Sequence, residues 1–397
     1  MSDTSGGPRG RLVVLGMVGR TPFAGVAWQA LHYLEGLRRL GYVVDYVEDT
    51  GDWPYDARRN SITDDVSYTL GYLDRLMSSV GLADHWFYRS AAQEGRVFGQ
   101  SERALADVLR RADGLINVTG ATVLREEHLQ VPVRIYLETD PVLPQIEVAL
   151  GQQFTIDVLR AHTHLFSFGE SLGHPDCGVP MGAFTYHTTR QPVVIDWWRT
   201  PPTVLPGREV PFTTVSNWKQ TGKDIEWQGE LYLWSKHHEF LRFVDLPRWT
   251  DQPLELALTA YGDPEVRGLL ERHGWRVTDA FALTVDVDPY RAYVQGSRGE
   301  FTVAKDQYHR LRTGWFSDRS ASYLSAGRPV ITQETGFSRF LPTCRGLFAF
   351  TTLDDIVAAL QAINGDYQGH SRAALQIATE YFDAEKVLRR LCDQAGL

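Results

Sequence analysis

The chain has 397 residues, 43% of them hydrophobic and 22% charged, with a formal net charge of −9. That is length enough for two domains of ordinary size, and the acidic balance argues against general binding to nucleic acid or an anionic membrane, though it leaves room for a local basic pocket. Three widely spaced cysteines, Cys177, Cys344 and Cys392, form no CxxC pair, so no disulfide framework or zinc knuckle is expected and a reducing, cytoplasmic setting is simplest; no apolar run reaches the roughly twenty residues of a membrane span.

A polar tail runs into a first buried strand over 11–17, followed by a loop with Gly16, Gly19 and Gly25. Residues 26–41 then carry apolar side chains at helical spacing (Val26, Ala30, Leu34, Leu37, Leu40), with Gly41 as C-cap. A strand at 42–49 completes a βαβ unit. Helices are expected over 61–81, with acids in the first turn, and over 101–113 and 145–162. Strands are expected over 85–90, 114–120, 133–140 and 164–170. From 173 to 207 the chain is rich in Pro, Gly and Thr without periodicity and reads as a long ordered loop and linker.

A second alternation starts at 211. Strands are expected at 211–218, 254–260, 275–280, 299–305 and 327–333, with helices at 237–247, 263–274, 288–297, 318–326 and 352–365, and one or two more over 369–394. The fold class is therefore α/β, with two Rossmann-like doubly wound domains facing each other across a cleft. The division expected is 1–205, then 206–380, with 381–397 as a closing helix. The cleft at the carboxyl ends of the strands is the default site.

The segment "RTGWFSDRSASYLSAGRPVITQETGF", 312–337, is the densest in chemistry. Its helix should start at Ser317 or Asp318, either of which can cap it. A helix start presents free N–H groups to an anion. Ser317 and Ser320 could add hydroxyl donors and Arg319 a charged fork, with Asp318 capping or binding a sugar hydroxyl. Plain capping beside a solvated arginine is the alternative.

"GWFSDRSASYLSAGRPVITQETGF" resembles the donor-site segment of GT-B glycosyltransferases, especially their group-1-like (family 4-like) branch. The match runs through Tyr323-Leu324-Ser325-Ala326-Gly327-Arg328-Pro329-Val330-Ile331 and then Gln333, Glu334, Thr335 and Gly336. The pair of glutamates that family 4 enzymes usually carry falls on Gly314 and Ser322, which marks a divergent branch. The resemblance implies a nucleotide-sugar donor on the second half and a small-molecule or glycan acceptor on the first. It implies no resident cofactor and no metal, and it leaves the oligomeric state open; the absence of a nucleic-acid partner is expected from the net charge. A closing helix that packs back on the first half is also part of that pattern. Ser216, Asn217, Lys219 and Lys223, at and beyond the end of a strand, would meet the charge of the leaving diphosphate. Glu334, Thr335 and Gly336 join Ser317–Ser320 on the donor side. Thr278, Asp279 and Lys305 fall near the base, ribose or donor. The Gly16, Gly19 and Gly25 loop would seat sugar phosphate or acceptor, although a tight turn explains the glycines as well. Glu138 and Asp140 close a strand toward the cleft, and Asp140 is the expected catalytic base. Glu170, His174 and Asp176 share one loop, read as shaping the acceptor pocket rather than holding metal. Alternatives are a nucleotide-sugar epimerase of the same fold and a non-catalytic sugar-nucleotide-binding accessory protein.

Overall fold

In a computed structural model, which describes residues 7–201 and 205–397, the alternating strands and helices sort into two large sheets. The first six residues of the polar tail and residues 202–204 of the expected linker lie outside the described residues. The first sheet holds β1 (Arg11–Leu15), β2 (Val43–Glu48), β3 (Trp86–Ser90), β4 (Arg96–Gly99), β5 (Gly114–Val118), β6 (Val133–Glu138), β7 (His164–Ser167) and β8 (His187–Thr188). Their order in space is β8-β7-β6-β5-β1-β2-β3-β4, parallel except for the antiparallel edge pair β3–β4. The second sheet holds β9 (Phe212–Ser216), β10 (Leu254–Leu258), β11 (Arg276–Asp279), β12 (Gly299–Thr302), β13 (Val330–Gln333) and β14 (Leu347–Phe350). Its order is β11-β10-β9-β12-β13-β14, all parallel. This is the doubly wound Rossmann order, and the chain reverses direction at β1 and at β9. The central strands are buried on both faces, as helix-covered parallel sheets require: all five residues of β5 and of β9 are buried.

The helix Ala24–Arg39 follows β1 and ends at Leu40, with Gly41 at φ 92° beyond it. The last helix, Ala384–Ala395, packs against this first helix rather than against the second sheet. Leu388 is fully buried there, and a Cβ on Gly36 would stand 2.5 Å from Leu388 Cδ1, so a larger residue would force that side chain to shift. The Val193 N–H donates to Phe382 O at 2.7 Å, and the Ala384 N–H donates back to Val193 O at 2.9 Å. One hydrophobic cluster, including Trp28, Trp198, Tyr290 and Trp315, runs through both halves. No helix among the described residues is long and apolar enough to cross a membrane.

Several local expectations are corrected. The 145–162 helix is two, Leu143–Ala149 and Gln153–Arg160, parted at Gly151 with φ 75°. The 61–81 helix begins only at Ser67. Asp65 stands outside it and accepts the Ser67 N–H, while Ser61–Ile62 pairs with Tyr55–Asp56 as a hairpin. The 173–207 loop contributes edge strand β8 and a short helix, Ile195–Trp198. The hairpin Ile225–Trp227/Glu230–Tyr232 and the strands β4 and β14 have no counterpart in the sequence reading.

Truncating the contact between the last and first helices tests this architecture. Leu388→Ala should cost about 2–5 kcal/mol in urea unfolding, the usual range for emptying a buried leucine site.

Candidate active site

The carboxyl ends of β1, β5 and β6 face those of β9, β10 and β12 across a cleft of about 790 Å³. The volume suits a small-molecule ligand. The first half supplies Arg20, Thr21 and Phe23, the turn Thr119–Ala121, and Glu138 to Asp140. The second half supplies Ser216, Asn217, Lys223, Trp234, Lys236, Phe281, Lys305, Trp315 and Ser317–Arg319.

Three lysines set the electrostatics. Lys305 Nζ donates to Asp140 Oδ1 at 2.7 Å and to Tyr308 Oη at 3.1 Å, and it lies 3.0 Å from the Trp234 ring centroid. Burial pushes this ammonium down to about 8, with Asp140 acting against the shift. Lys223 Nζ, on an exposed turn, is 4.6 Å from the same Trp234 ring. Lys236 is only 8% exposed and stands 5.5 Å from the Trp315 centroid. Among the described residues it has no hydrogen-bonding or ionic partner. Burial, followed by the Arg319 and Lys305 charges, pushes it well below the ordinary lysine value. An amine that faces a cavity without a counter-charge calls for an anion there.

The helix Asp318–Ser325 points its start into this cluster. Ser317 occupies the N-cap without a side-chain cap bond, so its hydroxyl does not take up the first N–H groups of the helix. Burial pushes the Asp318 carboxyl up to about 7, and Gln29 Nε2 reaches it at 3.5 Å from the opposite half. Arg319 does not offer its fork to a ligand. Nε donates to Glu300 Oε1 at 2.5 Å, one terminal nitrogen to Val215 O at 2.6 Å and the other to Thr302 Oγ1 at 2.7 Å. It neutralises a fully buried carboxylate and ties the helix start to β9 and β12.

Other predicted residues separate in the same way. Ser216, Asn217 and Lys223 line the cleft, whereas exposed Lys219 does not. Ser320 is fully buried outside the lining, with an unpartnered hydroxyl. Glu334, Thr335 and Gly336 also lie outside it. The Gly336 N–H donates to Glu334 Oε1, Thr335 Oγ1 donates to Trp315 O at 2.6 Å, and the Gly314 N–H donates to Thr335 O at 2.7 Å. They build the turn that carries Trp315. Asp279 accepts the Phe281 N–H at 2.8 Å and caps the short helix Ala280–Thr284. That helix, rather than Thr278 or Asp279, reaches the cleft.

The glycine loop is a correction of another kind. The N–H groups of Gly19 and Arg20 donate to Glu48 at 2.6 Å each, Val18 N–H donates to Tyr46 Oη at 2.9 Å, and Tyr46 Oη donates to Glu48 at 2.8 Å. The chain's own carboxylate fills the nest that a phosphate would take. Of Gly16, Gly19 and Gly25, only Gly25 lines the cleft.

Asp140 is in the cleft but is a poor base. Burial raises its carboxyl, yet the Lys305 charge and hydrogen bonds from Lys305 and Tyr308 hold it below the usual range. Asp318 and Glu138 are the cleft carboxyls that are raised. Burial lifts Glu138 to about 8 against hydrogen bonds from Ser167 at 2.5 Å and from Gln145 at 2.8 Å. Sequence reasoning missed Lys236 and Trp315, since no spacing rule marks a lone lysine after a short hairpin.

Glu170 pairs with Arg190 at 2.6 Å and Asp176 with Arg339 at 2.6 Å, so their loop is a charged contact. Asp49, Glu127 and His128 converge outside the cleft lining. Arg89 and Arg125 neutralise the carboxylates there, and His128 Nδ1 accepts the Arg125 N–H at 3.1 Å.

No protein-family model and no curated protein matches the sequence. Solved structures do match its fold. An alpha-glucosyltransferase in complex with UDP and a 13-mer DNA superposes with a TM-score of 0.61 at 10% identity, over 98% of this chain and 100% of that one. Anabaena Alr3699/HepE in complex with UDP-glucose gives 0.56 at 11% identity, over 98% and 100%. AviGT4, a glycosyltransferase involved in Avilamycin A biosynthesis, gives 0.54 at 11%, over 97% of each chain. The chain has the GT-B fold. One expectation from composition is overturned by the same comparison. The net charge argues against a nucleic-acid partner, yet a glycosyltransferase of this fold is seen in complex with DNA. Total charge does not fix the potential of one local surface.

Two substitutions test the helix start. Arg319→Met leaves Glu300 buried without its cation and should cost about 3–5 kcal/mol. Asp318 is raised from its ordinary 3.8 to about 7, so the folded chain holds that proton more tightly. Its contribution to stability is fully present below pH ~4 and is lost as pH rises through about 7. Asp318→Asn should therefore match the parent at about pH 4 and exceed it at about pH 8, by an amount on the order of 2 kcal/mol in urea unfolding.

Proposed function

We propose that this chain transfers a glycosyl group from a nucleoside-diphosphate sugar to a hydroxyl of an acceptor. The donor lies mainly on residues 206–380 and the acceptor mainly on 1–205. The observation that carries this reading is the gathering of Lys223, Lys236 and Lys305 beside the uncapped helix start at Ser317. As the bond from the sugar C1 to the phosphate oxygen breaks, negative charge grows on the departing diphosphate. Fixed ammonium groups and helix N–H groups stabilise such charge without reorganising. The acceptor oxygen attacks C1, and its proton needs a nearby carboxylate whose pKa lies near neutrality. Asp318, raised to about 7, fits that role better than Asp140, which Lys305 holds ionised. The lysines supply the diphosphate's counter-charge, so activity should persist in a chelator. The three free cysteines support a reducing, cytoplasmic setting.

The fold comparisons include complexes with UDP and UDP-glucose, which makes UDP-glucose the first donor to try. Nucleotide release would be measured across donors, with glycans, small hydroxylated molecules and DNA as acceptors. Release that depends on an acceptor supports transfer. A sugar isomer formed without any acceptor identifies an epimerase, and stabilisation by donor without turnover identifies a binding protein. Saturating UDP at about 100 times Kd should add about 2.7 kcal/mol to unfolding stability. Lys223→Met should weaken UDP binding by about 10- to 100-fold, the loss of one charged hydrogen bond.

A further inference from the structure

Among the described residues, Lys223 and Lys236 are the cleft cations left without an opposite charge, and of the two only Lys236 is buried. Its backbone is fixed at the start of the helix His237–Arg242, where Lys236 O accepts the Glu239 and Phe240 N–H groups at 3.0 Å each. Its side chain lies more than nine-tenths buried and opens into the cleft over Trp315. The charged groups acting on it are Arg319, Lys305, Glu300 and Asp140. These already form two closed pairs, Arg319 with Glu300 at 2.5 Å and Lys305 with Asp140 at 2.7 Å. Glu300 Oε2 has no hydrogen-bond partner, yet neither carboxylate lies within ion-pair distance of Lys236. A buried ammonium with no partner costs so much desolvation that the group sheds its proton instead.

We propose that Lys236 stands as a free amine in the empty cleft and takes up one proton when a nucleoside diphosphate enters. Nucleotide binding is thereby coupled to proton uptake. The inference rests on the glycosyltransfer reading only in placing a diphosphate in this cleft. The step is a simple protonation. Solvent supplies the proton, the nitrogen lone pair binds it, and no bond in the ligand changes. The proton returns to solvent when the nucleotide leaves. The terminal phosphate has its second pKa near 6, so near pH 7.5 the ligand arrives largely ionised and is not itself the acceptor. The device puts a full positive charge beside the diphosphate only while the diphosphate is there.

Calorimetry of UDP binding to the full chain, in three buffers of different ionisation enthalpy near pH 7.5, reads the proton count directly. The parent should take up about one proton more than Lys236→Arg, whose guanidinium stays charged at all working pH. Lys236→Arg should still bind UDP within about tenfold of the parent, since its charge is kept. If the Arg variant does not fold, the parent alone gives a second readout. Its UDP Kd should rise with pH above neutrality, with a slope approaching tenfold per unit. Binding without proton uptake overturns this proposal and leaves the functional reading standing. Equal uptake in Lys236→Arg assigns the proton to Asp318 or Lys305 and also overturns it. No UDP binding at all defeats both.

Discussion

The geometry of the cleft depends on one buried ion pair. Arg319 sits at the second position of a helix that faces a ligand cavity, yet its guanidinium turns inward onto Glu300 and the ends of β9 and β12. A helix start is otherwise free to fray, because its first N–H groups lack partners. Clamped by its own second residue, this one presents Ser317 and Asp318 in fixed positions. The price is a carboxylate held in the dry interior, which stays tolerable only while its cation remains.

The same principle of internal pairing explains the rest of the site. Glu48 closes the glycine loop, Asp140 answers Lys305, and Glu300 answers Arg319. Each pair removes one candidate from the roster of ligand-binding groups. What remains toward the cavity is a small set: an unpaired amine, an exposed lysine, a helix start and two carboxyls that burial keeps near neutrality in their titration. That remainder has the signs suited to a doubly charged leaving group on one wall and a proton acceptor beside it.

Long periodic segments made the fold legible from sequence. The β1–helix–β2 unit, the strand before "SNWK" and the helix ending "SAGRPV" all carry the apolar spacing that parallel sheets and their crossovers impose. Strand β4 and the hairpin Ile225–Trp227/Glu230–Tyr232 were not legible, because short, mostly exposed strands carry no apolar run to count. The site was half visible. Ser317 and Lys223 could be placed by their position at strand and helix ends. The pairing of Arg319 with Glu300, nineteen residues away, could not, since charge partners across a sheet leave no trace in local pattern. Lys236 was hidden for the same reason. It matters by what is absent around it in space, and sequence order does not record that.

The packing of the last helix on the first one has a consequence for how the protein is made. Gly36 and Leu388 meet across almost the whole length of the chain, and Val193 pairs with residues 382 and 384. The first sheet can form while it emerges from the ribosome, but its outer helix keeps an uncovered apolar face until the final helix is synthesised. The half that is translated first is thus the last to be finished. During that interval the exposed helix is a natural place for a chaperone to hold the nascent chain.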